Sequence, residues 1–198
     1  VSTWLPGRVC VWRENGVWDL DPSGQPVLLR PDHFSSVNGR RASFSQDYLL
    51  PFTQSYAQMI HAVSPEALIF FENEVEDASP LWKDAEQHRM VYAAHWYDGA
   101  VLFQKQFAPW LAVDVRTRRP VFGRNAVQRS IFAQIAAIKS DASEKLGGVP
   151  LLIGEFGIPF DLNDKKAFTS GDFSIQVQAM DRSMRPMESH MLNYTQWN

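Results

Sequence analysis

The sequence predicts an α/β fold built on a parallel sheet, and three observations predict it. Short apolar runs alternate with helical stretches, the runs end in polar or aromatic groups, and the longest helical pattern stops at a glycine pair directly before the most apolar run. Residues 47–63 carry Leu49, Phe52, Tyr56, Met59, Ile60 and Val63 at helical spacing, and Ser64-Pro65 ends the pattern. Ala67-Leu-Ile-Phe-Phe-Glu72 reads as a buried strand. Residues 80–87 suit a short helix, after which Met90-Val-Tyr-Ala-Ala-His-Trp-Tyr-Asp98 reads as a second strand running into a polar, aromatic end. Residues 124–146 form the strongest helical pattern, with Val127, Ile131, Ile135, Ile138 and Leu146 on one stripe, and Gly147-Gly148 stops it. Pro150-Leu-Leu-Ile-Gly-Glu-Phe-Gly157 is apolar enough for a strand covered on both faces. It presents Glu155 between Gly154 and Gly157, which are expected to leave room for a ligand beside the carboxylate. Asp172 is placed to cap a last helix, which carries Phe173, Val177, Met180 and Met184, and Met191-Leu-Asn-Tyr-Thr-Gln-Trp197 is the fourth strand.

The strand ends gather the groups that carry chemistry: Glu72, then His95 with Tyr97, then Glu155, with Trp197 closing the fourth. Each alone has a plain alternative. Glu72 opens the acidic run Glu72-Asn-Glu-Val-Glu-Asp77, a pattern common in solvated loops, a lone histidine is often structural, and Tyr97 and Trp197 suit a core. Their coincidence favours function, because parallel sheets bind ligands at the C-terminal ends of their strands. Net charge −3 with mixed signs argues against a nucleic-acid surface, and Arg116-Thr-Arg-Arg119 is an isolated basic cluster expected in a solvated loop. No metal-ligand spacing and no phosphate-binding glycine loop occurs, so no metal and no cofactor is implied. Cys10 has no cysteine to pair with, which suits a cytoplasmic setting.

At this point the residues carry a resemblance. The His95-Trp-Tyr97 strand, the Ile153-Gly-Glu-Phe-Gly157 strand and the closing Trp197-Asn198 resemble strands six, seven and eight of the glycoside hydrolase family 5 barrel. Gly16-Val-Trp-Asp19, Pro26-Val-Leu-Leu-Arg-Pro-Asp-His-Phe34, Leu50-Pro-Phe52, Ala94-His-Trp-Tyr-Asp98 and Leu152-Ile-Gly-Glu-Phe-Gly-Ile-Pro159 narrow it to the endoglycoceramidase-related fungal steryl β-glucosidase and glucosylceramidase group. The resemblance implies a retaining β-glucosidase acting on a glucoside with a lipid aglycone. Glu155 would be the nucleophile, oriented by Tyr97, with His95 near the acid/base, Trp197 as the platform under the sugar ring and Glu72 lining the pocket. It implies the second half of a (β/α)8 barrel, with residues 1–45 as a long excursion after strand four and 46–198 as strands five to eight with their helices.

One departure stands out. Retention needs two carboxyl groups roughly 5–5.5 Å apart, and the family's acid/base closes strand four in an Asn-Glu pair. Asn73-Glu74 matches the pair, yet it follows the strand counted as five, so the partner carboxylate is expected upstream of Val1, with Glu74 as the lesser candidate. A full barrel takes about 250 residues and eight strand–helix units, and four are found. The expected partners are therefore a β-glucoside or glycolipid and the missing N-terminal half. Without that half the chain is expected to self-associate and to lack turnover. Trp4, Trp12 and Trp18, in a first segment that also carries Pro6, Pro22, Pro26 and Pro31, either anchor a long loop to the barrel or make peripheral contact with a membrane. A glycolipid-binding fragment lacking the acid/base is the alternative, and a barrel enzyme using Glu155 as a base for proton abstraction is a further one.

Overall fold

Four apolar runs lie side by side as parallel strands in the computed structural model, which describes residues 4–5, 7–37, 39–75 and 78–197. Val1, Pro6, Asn198 and the Glu76-Asp77 end of the acidic run lie outside the described residues. In chain order the elements begin with α1 (Val11–Glu14), β1 (Trp18–Leu20), β2 (Pro26–Leu28), β3 (Ser36–Val37) and β4 (Arg40–Arg41), then a π-helical turn (Ser45–Leu49) entering α2 (Leu50–Val63). β5 (Ile69–Phe71), a 3-10 turn (Ala85–His88), β6 (Met90–His95), α3 (Gly99–Gln104), β7 (Leu111–Asp114) and β8 (Arg119–Phe122) follow. α4 (Arg124–Glu144), β9 (Leu151–Phe156), α5 (Lys166–Ser170), α6 (Ser174–Ser189) and β10 (Asn193–Gln196) complete the described chain.

The main sheet has the order β10-β9-β6-β5, all parallel, and each of its strands pairs with the next strand of this sheet along the chain, the β7–β8 hairpin intervening between β6 and β9. This is the pattern that strand–helix–strand units give. The helices cover one face. Ile69, Phe71, Tyr92 and Ala94 pack with Leu50 and Ala57 of α2 and Ala142 of α4, followed by Leu146. Ile153 and Phe156 pack with Val127, Ile131 and Ile135 of α4 and Met187 of α6. Each of these large apolar side chains stabilises the fold by roughly 1.5–3 kcal/mol when fully buried. The alternate residues Phe70, Ala93, His95, Leu152 and Thr195 point to the opposite face, which no helix covers among the described residues.

Several elements depart from the sequence reading. Most of the stripe expected on the first long helix faces out: α2 buries Leu50, Thr53 and Ala57, packs Ile60 partly against the core, and leaves Phe52, Tyr56, Met59 and Val63 exposed. The segment read as a loop excursion holds α1 and two small hairpins, β1–β2 and β3–β4. Trp12 stands edge-on to Phe34, and the Arg13 guanidinium lies over the Trp18 ring. Arg116 and its neighbours form the turn of a third hairpin, β7–β8, in which Asp114 Oδ1 accepts hydrogen bonds from the Arg116 and Thr117 amides, each at 3.0 Å. The last helix starts at Ser174, and Asp172, one residue before the cap position, accepts a hydrogen bond from the Ser174 amide at 2.9 Å. No helix of the described chain is long and apolar enough to cross a membrane.

Candidate active site

β6 and β9 end beside one another, and a local irregularity decides which way their last side chains point. Ala94 pairs with Ile153, but the next pair is His95 with Glu155, so β9 carries one extra residue, Gly154. In an unbroken strand Glu155 would share the face of Ile153 and point into the helices. The bulge turns Glu155 to the open face and returns Phe156 to the core, where both Ile153 and Phe156 are fully buried. A Cβ at Gly154 would meet the Ala93 carbonyl oxygen at 2.7 Å, and one at Gly157 would meet the Trp197 carbonyl oxygen at 2.0 Å. Both glycines thus admit neighbouring backbone. They do not open space for a ligand as the sequence suggested.

Four of the expected side chains meet around the carboxylate. Tyr97 donates its phenolic hydrogen to Glu155 Oε1. His95 Nδ1 lies 3.7 Å from Glu155 Oε2, and His95 Nε2 faces Glu72 Oε2 in a closer contact. The resulting line is Tyr97, Glu155, His95, Glu72. Burial, and secondarily the hydrogen bond and charge of Glu155, push the Tyr97 phenol up from its ordinary value, so it remains a donor. Trp197 is tied down by its amide donating to the Phe156 carbonyl at 2.8 Å, and its ring stands edge-on to Tyr97 with centroids 6.2 Å apart. Half of Trp197 remains exposed at the open face.

The tempting Asn73-Glu74 pair is split. Asn73 Oδ1 accepts from the buried Tyr92 hydroxyl at 2.6 Å, and Ser79 links that hydroxyl to Asp141. Burial pushes Tyr92 up to about 12, which keeps it a donor to this network. Glu74 lines a small cavity with His95, Trp96 and Arg116. Its carboxylate makes no hydrogen bond or ion pair with Glu155 among the described residues.

Two supporting residues were not picked out from the sequence. Asp98, directly after Tyr97, caps α3 by accepting from the Ala100 and Val101 amides at 3.1 and 3.4 Å. Arg182 of α6 reaches it in a buried ion pair, donates to the Ala108 and Leu111 carbonyls at 3.0 and 3.1 Å, and lies over the Phe107 ring. An aspartate before Gly99 was a legible cap signal, whereas nothing in the sequence pairs Arg182 with a residue so far upstream. No group of three or more His, Cys, Asp or Glu able to hold a metal ion occurs among the described residues.

Fold and site together define an α/β protein whose carboxylate-centred site lies at the C-terminal edge of its parallel strands, oriented by a tyrosine and a histidine beside an open tryptophan face. No family model matches the chain. It is 31% identical to a glucosylceramidase of Rhizopus delemar over 208 residues, covering 100% of this chain and 30% of that protein. It is 32% identical to a glucosylceramidase of Cryptococcus neoformans var. grubii over 96% of this chain, and 29% identical to the ergosteryl-beta-glucosidase of Saccharomyces cerevisiae over 98%. The crystal structure of Cryptococcus neoformans sterylglucosidase 1 matches 96% of the chain with a TM-score of 0.79 at 31% identity, over 29% of its own length. The chain thus spans about 30% of the length of the relatives it matches.

Proposed function

We propose that the chain is part of a retaining β-glycosidase of glycoside hydrolase family 5 that hydrolyses a β-glucoside with a lipid aglycone, a steryl glucoside or a glucosylceramide. The observation that carries this reading is the Glu155 carboxylate, turned by the Gly154 bulge to the C-terminal end of β9 and held between Tyr97 and His95. Glu155 attacks the anomeric carbon and forms a glycosyl ester as the bond to the aglycone oxygen breaks. A second carboxyl group protonates that oxygen and then takes a proton from the water that cleaves the ester. Tyr97 orients the attacking oxygen, and Trp197 offers its exposed face to the apolar side of the glucose ring.

In the same reading β5, β6, β9 and β10 are strands five to eight of a (β/α)8 barrel, and the acid/base comes from the rest of it. Three findings support that: the strands neighbour one another in chain order, their inner face has no helix layer among the described residues, and the relatives are about three times as long. Glu72 is engaged by His95. The same engagement of Glu72 favours a rival reading, a glycolipid-binding unit without turnover.

Incubating the full-length protein with a slow 2-fluoro-glucoside, followed by peptide mapping by mass spectrometry, tests the choice. A glycosyl adduct on the peptide containing Glu155 is expected. Binding of glucosides with neither adduct nor turnover would select the rival.

A further inference from the structure

We propose that Glu72 is a positioning residue for Glu155 and acts through His95; this rests on the hydrolase reading above. A carboxylate only accepts hydrogen bonds, so the imidazole nitrogen held against Glu72 is used as an N–H. That contact is at Nε2, and it fixes both the tautomer and the rotation of the ring about its last torsion. The Nδ1 edge is left facing Glu155 Oε2 at 3.7 Å, longer than a hydrogen bond.

Without Glu72 the imidazole is free to turn over and present a carbon to the nucleophile. The other Glu155 oxygen is already occupied by Tyr97, so His95 faces the oxygen that Tyr97 leaves free. Glu72 follows β5, His95 ends β6 and Glu155 lies on β9, so three adjacent strands each supply one link. The remaining charged groups near His95 are Glu74, Arg116 and Asp141, which line the small cavity beside it. The ion pairs of the imidazole among the described residues are with Glu72 and Glu155.

The test uses the full-length enzyme and an activated dinitrophenyl β-glucoside, whose departure needs no proton and whose kcat/KM reports attack by the nucleophile. Glu72→Gln keeps the side-chain size and is expected to lower kcat/KM about 10- to 100-fold. The melting temperature is expected to stay unchanged. In a His95→Asn background the same substitution is expected to add less than about twofold, because the link it acts through is already gone. Glu72→Asp is expected to restore part of the loss. A Glu72→Gln enzyme within about twofold of wild type, or an equal loss with and without His95, overturns the inference.

Nitrogen NMR of labelled histidines supplies a readout that does not depend on turnover. A protonated Nε2 at His95 that loses its signature in Glu72→Leu, which has no acceptor, supports the link, and an unchanged spectrum overturns it. A wild-type enzyme with neither turnover nor adduct would sink the hydrolase reading instead, with the histidine spectrum still reporting on the Glu72 contact itself.

Discussion

As the proposed nucleophile, Glu155 needs its carboxylate held still, and Tyr97 donates a hydrogen bond to it. A hydrogen bond to a charged group is worth about 1.5–3 kcal/mol, so Tyr97→Phe is expected to slow formation of the glycosyl adduct about 10- to 100-fold without unfolding the protein. Timed mass spectrometry of the adduct measures this directly. The phenol also has a defined pH behaviour. Its folded value is raised above the ordinary 10.0, so its contribution to stability is fully present below that value and is lost as pH rises through the higher folded one. An alkaline absorbance titration is therefore expected to show the wild type and Tyr97→Phe diverging only above the ordinary tyrosine range. Glu155, Tyr97, His95 and Trp197 were legible in the sequence because parallel strands deliver their last residues to one edge. The joining of Glu72 to His95 was not legible, since an acidic run gives no register.

At the scale of elements, the site depends on a bulge and on a buried ion pair. Gly154→Ala would drive a Cβ against the Ala93 carbonyl, which is backbone and cannot swing aside. The variant is expected to lose about 1–3 kcal/mol in a urea titration and to move Glu155 off Tyr97. Asp98 and Arg182, with side chains 2% and 13% exposed, hold the start of α3 directly behind Tyr97. Arg182→Ala leaves the aspartate charged, buried and unpaired, with an expected cost of about 3–5 kcal/mol near neutral pH. Burial raises the Asp98 carboxyl even with Arg182 present, so stability linked to it is held below the ordinary carboxylate value and lost as pH rises through the folded one. Losing the guanidinium raises it further, and the deficit of Arg182→Ala is expected to shrink as the titration is repeated toward about pH 4. The parallel strands were legible because continuous apolar runs admit few other readings. The β7–β8 hairpin was not, because its turn is built from Asp114 and a left-handed Arg118 with no glycine or asparagine to mark it. The outward stripe of α2 misled for another reason: the helix is apolar on two faces, and periodicity cannot say which one meets the sheet.

The whole molecule carries those uncovered faces in a consistent place. At one flank, edge strand β5 presents Phe70, and α2 beside it exposes Phe52, Tyr56, Met59 and Val63, with Phe52 and Tyr56 stacked. At the other flank, edge strand β10 lies next to an apolar groove lined by Ile158, Phe160, Phe173, Val177, Met180 and Met184. An unpaired strand beside an exposed apolar helix face is the surface that a further strand–helix unit would cover, and both flanks have it. The open sheet face between them carries the site. Burial of apolar area is worth roughly 25 cal/mol per Å2, so surfaces of this kind drive association when nothing else covers them. The isolated 198-residue chain is therefore expected to self-associate and to show no glucosidase activity. On the proposed barrel reading, co-expression with the other half of the barrel is expected to restore a soluble complex with turnover. Light scattering coupled to size exclusion, with an activity assay on the same fractions, separates the outcomes. A stable monomer would mean that the two flanks are closed by this chain alone. Turnover by that monomer would place the missing carboxyl group within these residues, with Glu74 the first to replace by glutamine.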